Sequence, residues 1–575
     1  MVTVDELKVA IDELERSKKS IGRKRTKKEE KQLKDVKGVR KIKAAKEKAV
    51  KISKRIRGAR AMDLPGSEIY VATHYEGKLL AEYSITSERI PVNIKIIRPT
   101  EGYNPVYDVY LPDIGEGTWV VLDKIRSEIT SEVGVRGQEV LDVKLQKRVE
   151  QKFRDSALKK LDEYIPKTDA DARVMLSEYL INDMLGLGKL ELLLADDALE
   201  EIVINSSREP VWVYHKMHGW LKTNLMLRDD EQTADYANAI GRRAERQINT
   251  LNPLMDAHLM TGERVNATLL PVSTDGNTIT IRKFSRQPWT IVDFINNKTL
   301  DPTIASLLWT SMQYELNMIM AGGTASGKTS MLNSISPFLP PNHRIISIED
   351  TRELRLPTYL HWVPMVTRQP NSEGKGGVSM LDLMVNSLRM RPDRVLVGEI
   401  RRHEEAEVLF EAMHTGHSVY STLHANTADE VRRRLVTPPL SIPETLLESL
   451  HLVSVQFRHR KLGIRRVLEL AEVLPSAEGT VSFRTIYKWR AGQDTFGKVK
   501  ESVRVIPEIQ VFTGMTSREI YGEMKEKEEI LKWLVKHKLN TTEEIGRVVG
   551  EYYINEAGVL DAVKKNTPPR ELISK

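Results

Sequence analysis

MIMAGGTASGKTSML, residues 318–332, decides the fold. Gly322, Gly327, Lys328 and Thr329 stand at G-x-x-x-x-G-K-[ST] spacing. A strand-like LNMIM precedes them and a helix-compatible TSMLNSI follows. Glycines let the backbone curl so that successive N–H groups face phosphate oxygens. The helix that follows adds its positive end. Gly322, Gly323, Thr324, Ala325, Ser326, Gly327, Lys328, Thr329 and Ser330 therefore read as an ATP-binding loop. Lys328 brings a mobile charge to the β- and γ-phosphates, and the Thr329 hydroxyl suits Mg²⁺. The alternative is a chance glycine turn, which the flanking strand and helix disfavour.

Hydrolysis also needs an acid near Mg²⁺ and a group that orients water. VLVGE, residues 395–399, is an apolar strand ending in Glu399, with Gly398 where many P-loop enzymes carry aspartate. SIEDTREL, residues 347–354, puts Glu349, Asp350 and Glu353 at the end of another strand. Three carboxylates in five residues need a neutralising partner. Mg²⁺ meets that need, with Glu349 and Asp350 as candidates outside its direct ligands; Arg352 and Arg355 meet it without a metal. In MHTGHSVYSTLHANTADEVRRRL, residues 413–435, an apolar strand separates His417 from His424 by ~20 Å. A shared metal does not fit that spacing, whereas one neutral histidine bonded to a γ-phosphate or a carboxylate does.

From about residue 300 buried strands and helices alternate: LNMIMAG, HRIISIED, RVLVGEI, HSVYSTLH, LVSVQFRH. This is the rhythm of a parallel sheet covered by helices on both faces. The divisions read along the chain are a basic extension (1–60), a small β-rich region (61–116), an α/β amino-terminal domain (117–284), a linker (285–302), a P-loop domain (303–465) and a carboxyl-terminal hairpin with helices (466–575).

Four segments in order, GGTASGKT, SIEDTREL, RMRPDRVLVGEIR and TGHSVYSTLHANT, resemble the four signatures of the type II/type IV secretion ATPase superfamily. They are similar to its phosphate loop, aspartate box, glycine-glutamate second motif and histidine box. LEEIVINSSREPVWVYHKMHGWLKTN and GERVNATLLP with ITIRKFS resemble the amino-terminal domain of its archaeal branch, the archaellum motors and type IV pilus assembly ATPases. The resemblance spans roughly residues 170–470. It implies a RecA-like P-loop ATPase core with a separate α/β amino-terminal domain. It implies ATP and Mg²⁺ at the site, with Lys328 and Thr329 on phosphate and metal, Glu353 polarising the attacking water, and Glu399 supporting Mg²⁺ and hydrolysis. His417 and His424 become a pair sensing the γ-phosphate, and Arg264 and Arg282 candidates to reach the nucleotide from the other domain. It further implies a homo-hexamer that works on a polytopic membrane platform protein and, through it, on pilin-like subunits. A conjugation-type DNA-transfer ATPase and a nucleic-acid-binding module with an ATP switch are the two other readings.

The 575 residues are 40% hydrophobic and 29% charged, the profile of a globular protein. There is no cysteine, which excludes disulfides and the four-cysteine zinc module of many bacterial relatives, so no zinc is expected. Residues 1–60 hold 22 Lys and Arg against 9 Asp and Glu, a net +13; the remainder nets −6. The tail suits an anionic membrane surface, nucleic acid or an acidic partner; the alternative is a solvated, partly helical extension with no fixed ligand. No apolar run reaches the ~20 residues needed to span a bilayer, and the start does not read as a secretory signal. A cytoplasmic protein, peripheral at the inner face of the cell membrane, is the expectation.

Overall fold

The computed structural model describes residues 69–71, 74–111, 114–132, 143–244, 246–259, 262–283, 288–370 and 374–573. The basic segment 1–60 lies outside the described residues.

Two nine-stranded sheets organise the described residues. The first 11 strands are β1 (Ile69–Val71), β2 (Gly77–Ser87), β3 (Ile90–Pro99), β4 (Val106–Tyr110), β5 (Leu199–Ile204), β6 (Trp212–His215), β7 (Gly219–Thr223), β8 (Leu225–Leu227), β9 (Leu254–His258), β10 (Arg264–Thr268) and β11 (Thr278–Arg282). β1 and β8 form a short antiparallel pair; the others follow the order β2-β3-β4-β7-β6-β5-β11-β10-β9. In β3 the alternation is visible residue by residue: Ile90, Val92, Ile94 and Ile96 are buried, and Pro91 between the first two is exposed. Helices α1 (Glu116–Glu132), α2 (Val143–Tyr164) and α3 (Ala170–Leu185) bury Leu122, Ile125, Phe153, Leu161 and Leu180 against one another. Arg154 of α2 clamps the buried Glu178 of α3 with two bonds of 2.8 and 2.9 Å.

The sequence separates 61–116 from 117–284, but the sheet crosses that boundary. β4 pairs in parallel with β7, Val106 opposite Lys222 and Tyr107 opposite Thr223. The Asn224 amide bonds both backbone groups of Val109, and Tyr83 and Tyr107 both donate to Asp196 at 2.6 Å. One core therefore holds β2–β4 and β5–β11 together. Periodicity tells which face of a strand is buried, not which strand lies beside it.

The second sheet contains β12 (Met318–Gly322), β13 (Arg344–Glu349), β14 (His361–Val366), β15 (Arg394–Val397), β16 (Ser418–Leu423), β17 (Leu452–His459), β18 (Ile464–Pro475), β19 (Val481–Arg490) and β20 (Thr495–Lys498). Their order is β14-β13-β15-β16-β12-β17-β18-β19-β20. The first six are mutually parallel, a RecA-like P-loop core with helices on both faces; the last three continue antiparallel. β14 carries Pro364 in its middle, which argues against a strand in sequence; it lies at the sheet's edge, where proline is tolerated.

The boundary read at 465/466 is also crossed. β18 is hydrogen-bonded along β17, and the helices beyond it share the core of the P-loop domain. Trp309 of α4 (Pro302–Gln313) is fully buried, stacks on Phe338 at 4.9 Å and donates to Tyr553 at 3.0 Å. Ile291, Val292 and Phe294, within the expected linker, belong to the same core. Aromatic burial on this scale contributes several kcal/mol per ring, on the order of the ~3–5 kcal/mol lost on truncation. Among the described residues no helix is long and apolar enough to cross a membrane.

Candidate nucleotide site

Parallel strands deliver their carboxyl ends to one edge of the sheet, where ligands of such folds bind. β12 ends there in the glycine loop. Gly322 has φ +154°, and a Cβ on it would stand 2.3 Å from Ser326 Oγ and 2.5 Å from the Gln456 carbonyl oxygen. Gly327 has φ +98° and opens helix α5 (Lys328–Ile335). Only glycine takes both positions without strain or collision. Thr329 sits half-buried in the first turn of that helix.

Lys328 is 8% exposed, and its Nζ lies 3.4 Å from the Gly323 carbonyl oxygen and 3.4 and 3.5 Å from the two ring nitrogens of His424. Burial lowers its pKa, while Glu399 and Glu353 oppose that fall. Glu399, at the end of β15, places Oε1 3.1 Å from His424 Nε2. His424 follows β16 directly; burial and the Lys328 charge push its pKa down, which favours a neutral ring. The three residues read separately from three motifs thus meet at one point.

The acids after β13 separate into different jobs. Glu349 is 2% exposed, and its Oε1 accepts from the backbone N–H groups of Glu353 (2.9 Å) and Leu354 (3.0 Å). It shapes the turn that presents Glu353. Burial raises its pKa to about 7. Asp350 takes the guanidinium of Arg401 at 2.9 Å and faces the Thr367 hydroxyl at 3.3 Å. Glu353 faces across to the first sheet, 3.4 Å from Arg282 Nη2.

β10 and β11 place Arg264 directly opposite Arg282. Arg264 forks onto Asp256 at 3.1 and 2.6 Å, so of the two arginines it is Arg282 that reaches the acidic turn. His258, opposite Arg264 on β9, stands 2.6 Å from Thr351 Oγ1. The two sheets therefore close on the SIEDTREL turn from both sides.

His417 requires a correction. It precedes β16, at the opposite end of that strand from His424, with Nδ1 3.3 Å from the Ala412 carbonyl and the Thr415 hydroxyl. Six residues of strand hold the two histidines ~20 Å apart. They do not form a pair within this chain.

Three side chains at the site escaped the sequence reading. Arg401 was legible only as a neighbour of Glu399. His258 carries no motif. Arg465, on β18, donates from Nε to the Ala325 carbonyl at 3.2 Å and lies over Gly327; nothing local announces a strand that far along the chain as a wall of the loop.

The donor set fits magnesium. The Thr329 hydroxyl and the Asp350 and Glu399 carboxylates are hard oxygens. Ser326 Oγ and Glu349 Oε2 are buried without a hydrogen-bond partner. Among the described residues no cluster of three or more acidic or histidine side chains is arranged to hold a metal alone.

The family of type II/IV secretion system proteins matches residues 243–550, over half of the chain, and the chain belongs to it. An uncharacterised protein of Methanocaldococcus jannaschii is 33% identical over 383 residues, covering 65% of this chain and 69% of its own. The type IV secretion system protein PtlH of Bordetella pertussis is 31% identical over 301 residues, covering 47% of this chain and 88% of its own. The crystal structure of the pilus retraction motor PilT with bound ADP overlaps at a TM-score of 0.36 with 18% identity, over 67% of this chain and 98% of that one. An overlap at that score assigns no residue a role here.

Proposed function

We propose that this protein is an ATPase that converts hydrolysis into mechanical work for secretion or for assembly of pilus- or archaellum-like filaments. One observation carries the reading: Lys328, Glu399 and His424 converge within 3.5 Å at the phosphate loop, and Arg282 from the other sheet faces Glu353 beside them. A γ-phosphate bound there contacts both halves, and its loss releases one from the other.

The roles follow from position. The loop N–H groups and Lys328 hold the phosphates. Glu353 orients the attacking water, and Arg282 exchanges that carboxylate for the γ-phosphate. His424 stands at the γ-phosphate position from the end of β16, and Glu399, accepting from its Nε2–H, sets its orientation. Thr329, with Asp350 and Glu399 behind it, would hold Mg²⁺, which supplies charge neutralisation at the phosphates. Arg264 positions Arg282 as its cross-strand neighbour. The chain works as a homo-hexamer against a polytopic membrane platform protein, and its basic residues 1–60 draw it to an anionic membrane surface. The family membership and the likeness to PtlH, named as a type IV secretion system protein, support the pathway.

The test is ATP turnover by the purified chain, alone and with its platform protein in vesicles, beside Lys328→Ala. Turnover that needs Mg²⁺, rises with the platform and vanishes in the variant is expected. A chain that binds ATP and never consumes it, with or without the platform, refutes the reading.

A further inference from the structure

Arg401 follows Glu399 by two residues, where the chain leaves β15 for helix α6 (His403–His414). Its Nε and Nη2 reach Glu399 Oε2 at 2.7 and 2.6 Å. Its Nη1 reaches Asp350 Oδ2 at 2.9 Å. Asp350 follows β13, and β13 and β15 are neighbours in the sheet. One guanidinium thus ties two adjacent strand ends. The base of the side chain is fixed, because the Arg401 N–H donates to Glu405 at 3.1 Å. Its side chain is 56% exposed.

Two carboxylates this close repel unless a cation lies between them. A planar guanidinium suits that place, since it can fork onto one acid and still reach a second. A divalent ion suits it better. At equal distance twice the charge gives twice the Coulomb attraction to each carboxylate. The side chain as a whole is half-exposed, so its exchange for another cation costs little.

We propose that Arg401 is a built-in counter-ion for the magnesium position. It holds Asp350 and Glu399 neutralised and oriented while the site lacks a metal–nucleotide complex, and it yields Asp350 when the complex arrives. The proposal rests on the nucleotide reading given above. It makes Arg401 a positioning residue, acting through the two carboxylates without touching substrate. Without it the acid pair attracts divalent ions even when no nucleotide is present. Hydrolysis slows at the same time, because Glu399 loses the group that orients it.

The experiment is Mn²⁺ binding by electron paramagnetic resonance to the nucleotide-free full chain. Wild type, Arg401→Gln, Arg401→Lys and the double variant Arg401→Gln/Asp350→Asn are compared, with circular dichroism melts to verify folding. Arg401→Gln is expected to bind Mn²⁺ about fivefold more tightly than wild type, the factor set by a half-exposed ion pair of about 1 kcal/mol. The gain should disappear in the double variant, and Arg401→Lys, which keeps the charge, should fall between. In turnover assays Arg401→Gln should need less Mg²⁺ for half-maximal rate while its maximal rate falls, a split that general destabilisation does not produce. Equal Mn²⁺ affinity in wild type and Arg401→Gln overturns the proposal, as does a gain that survives Asp350→Asn. A chain that shows the Mn²⁺ gain but never hydrolyses ATP would refute the ATPase reading and leave the ion competition standing.

Discussion

The two ends of the same parallel strands use the same chemistry to opposite effect. At the amino ends, Arg394 is fully buried. It donates to His343 at 3.0 Å, to Ser418 at 2.7 Å and to Tyr420 at 2.9 Å. Ser418 and Tyr420 are buried with it. At the carboxyl ends, Arg401, Asp350 and His424 are 56, 39 and 40% exposed. A dry arginine with fixed partners cannot trade them, because an unpaired buried charge costs several kcal/mol. A wet one can, because water takes up the difference. Arginine, histidine and hydroxyl groups occur at both ends; solvent access makes one end a lock and the other a site.

The sharpest way to break this contrast is Lys328→Ala. It should cut hydrolysis by at least about a thousandfold, since it removes the one cation inside the loop. The melting temperature should barely move, and a fully active variant would place the site elsewhere. Arg394→Met is the converse. It should destabilise the chain by about 3 kcal/mol in denaturant titrations by stripping His343, Ser418 and Tyr420 of a buried partner. Turnover per folded molecule should stay unchanged. Glu353→Gln should slow kcat about a hundredfold while nucleotide stays bound, measured by single-turnover kinetics with labelled ATP.

The histidines sharpen the comparison with a smaller effect. His424→Asn should cost about tenfold in kcat, within the usual range for losing one polar contact to a developing charge. His417→Asn should leave the rate within about twofold, because it lies at the lock end. The pH profile carries the same distinction. The His424 pKa is lowered, so the ring is neutral above its usual range and gains a proton only at lower pH. Activity that depends on neutral His424 should therefore persist below pH 6.5 and fall on further acidification, and that acid limb should change in His424→Asn but not in His417→Asn.

Several of these residues were readable before any coordinates. The glycine loop, Glu399 and the SIEDTREL turn each lie within a few residues of a strand end, so spacing alone located them. The histidines show where such reading stops. Both stand beside the same apolar strand, whose spacing already set them ~20 Å apart; only the resemblance joined them into a pair, and a strand of six residues does not bring them together within one chain. Arg401 was overlooked for a related reason. Its partner Asp350 is 51 residues away, and only the pairing of β13 with β15 brings the two acids under one guanidinium. The sheets likewise run across 116/117 and 465/466, because β4 joins β7 and β18 joins β17 through hydrogen bonds that no local pattern reports.

The sequence by itself determined that a triphosphate loop closes a buried strand and opens a helix, because glycine at positive φ, a lysine and a threonine at fixed spacing have local conformational causes. It also determined that the chain carries no thiol chemistry and holds its excess positive charge in the first 60 residues. The tertiary structure decided which strand ends lie side by side. From that came the meeting of Lys328, Glu399 and His424, the reach of Arg282 to Glu353, and the arginine that bridges Asp350 and Glu399. The reason is the range of the forces. Backbone conformation and side-chain alternation act over a few residues, whereas strand order is fixed by contacts between segments far apart in the chain, which form only when the core closes.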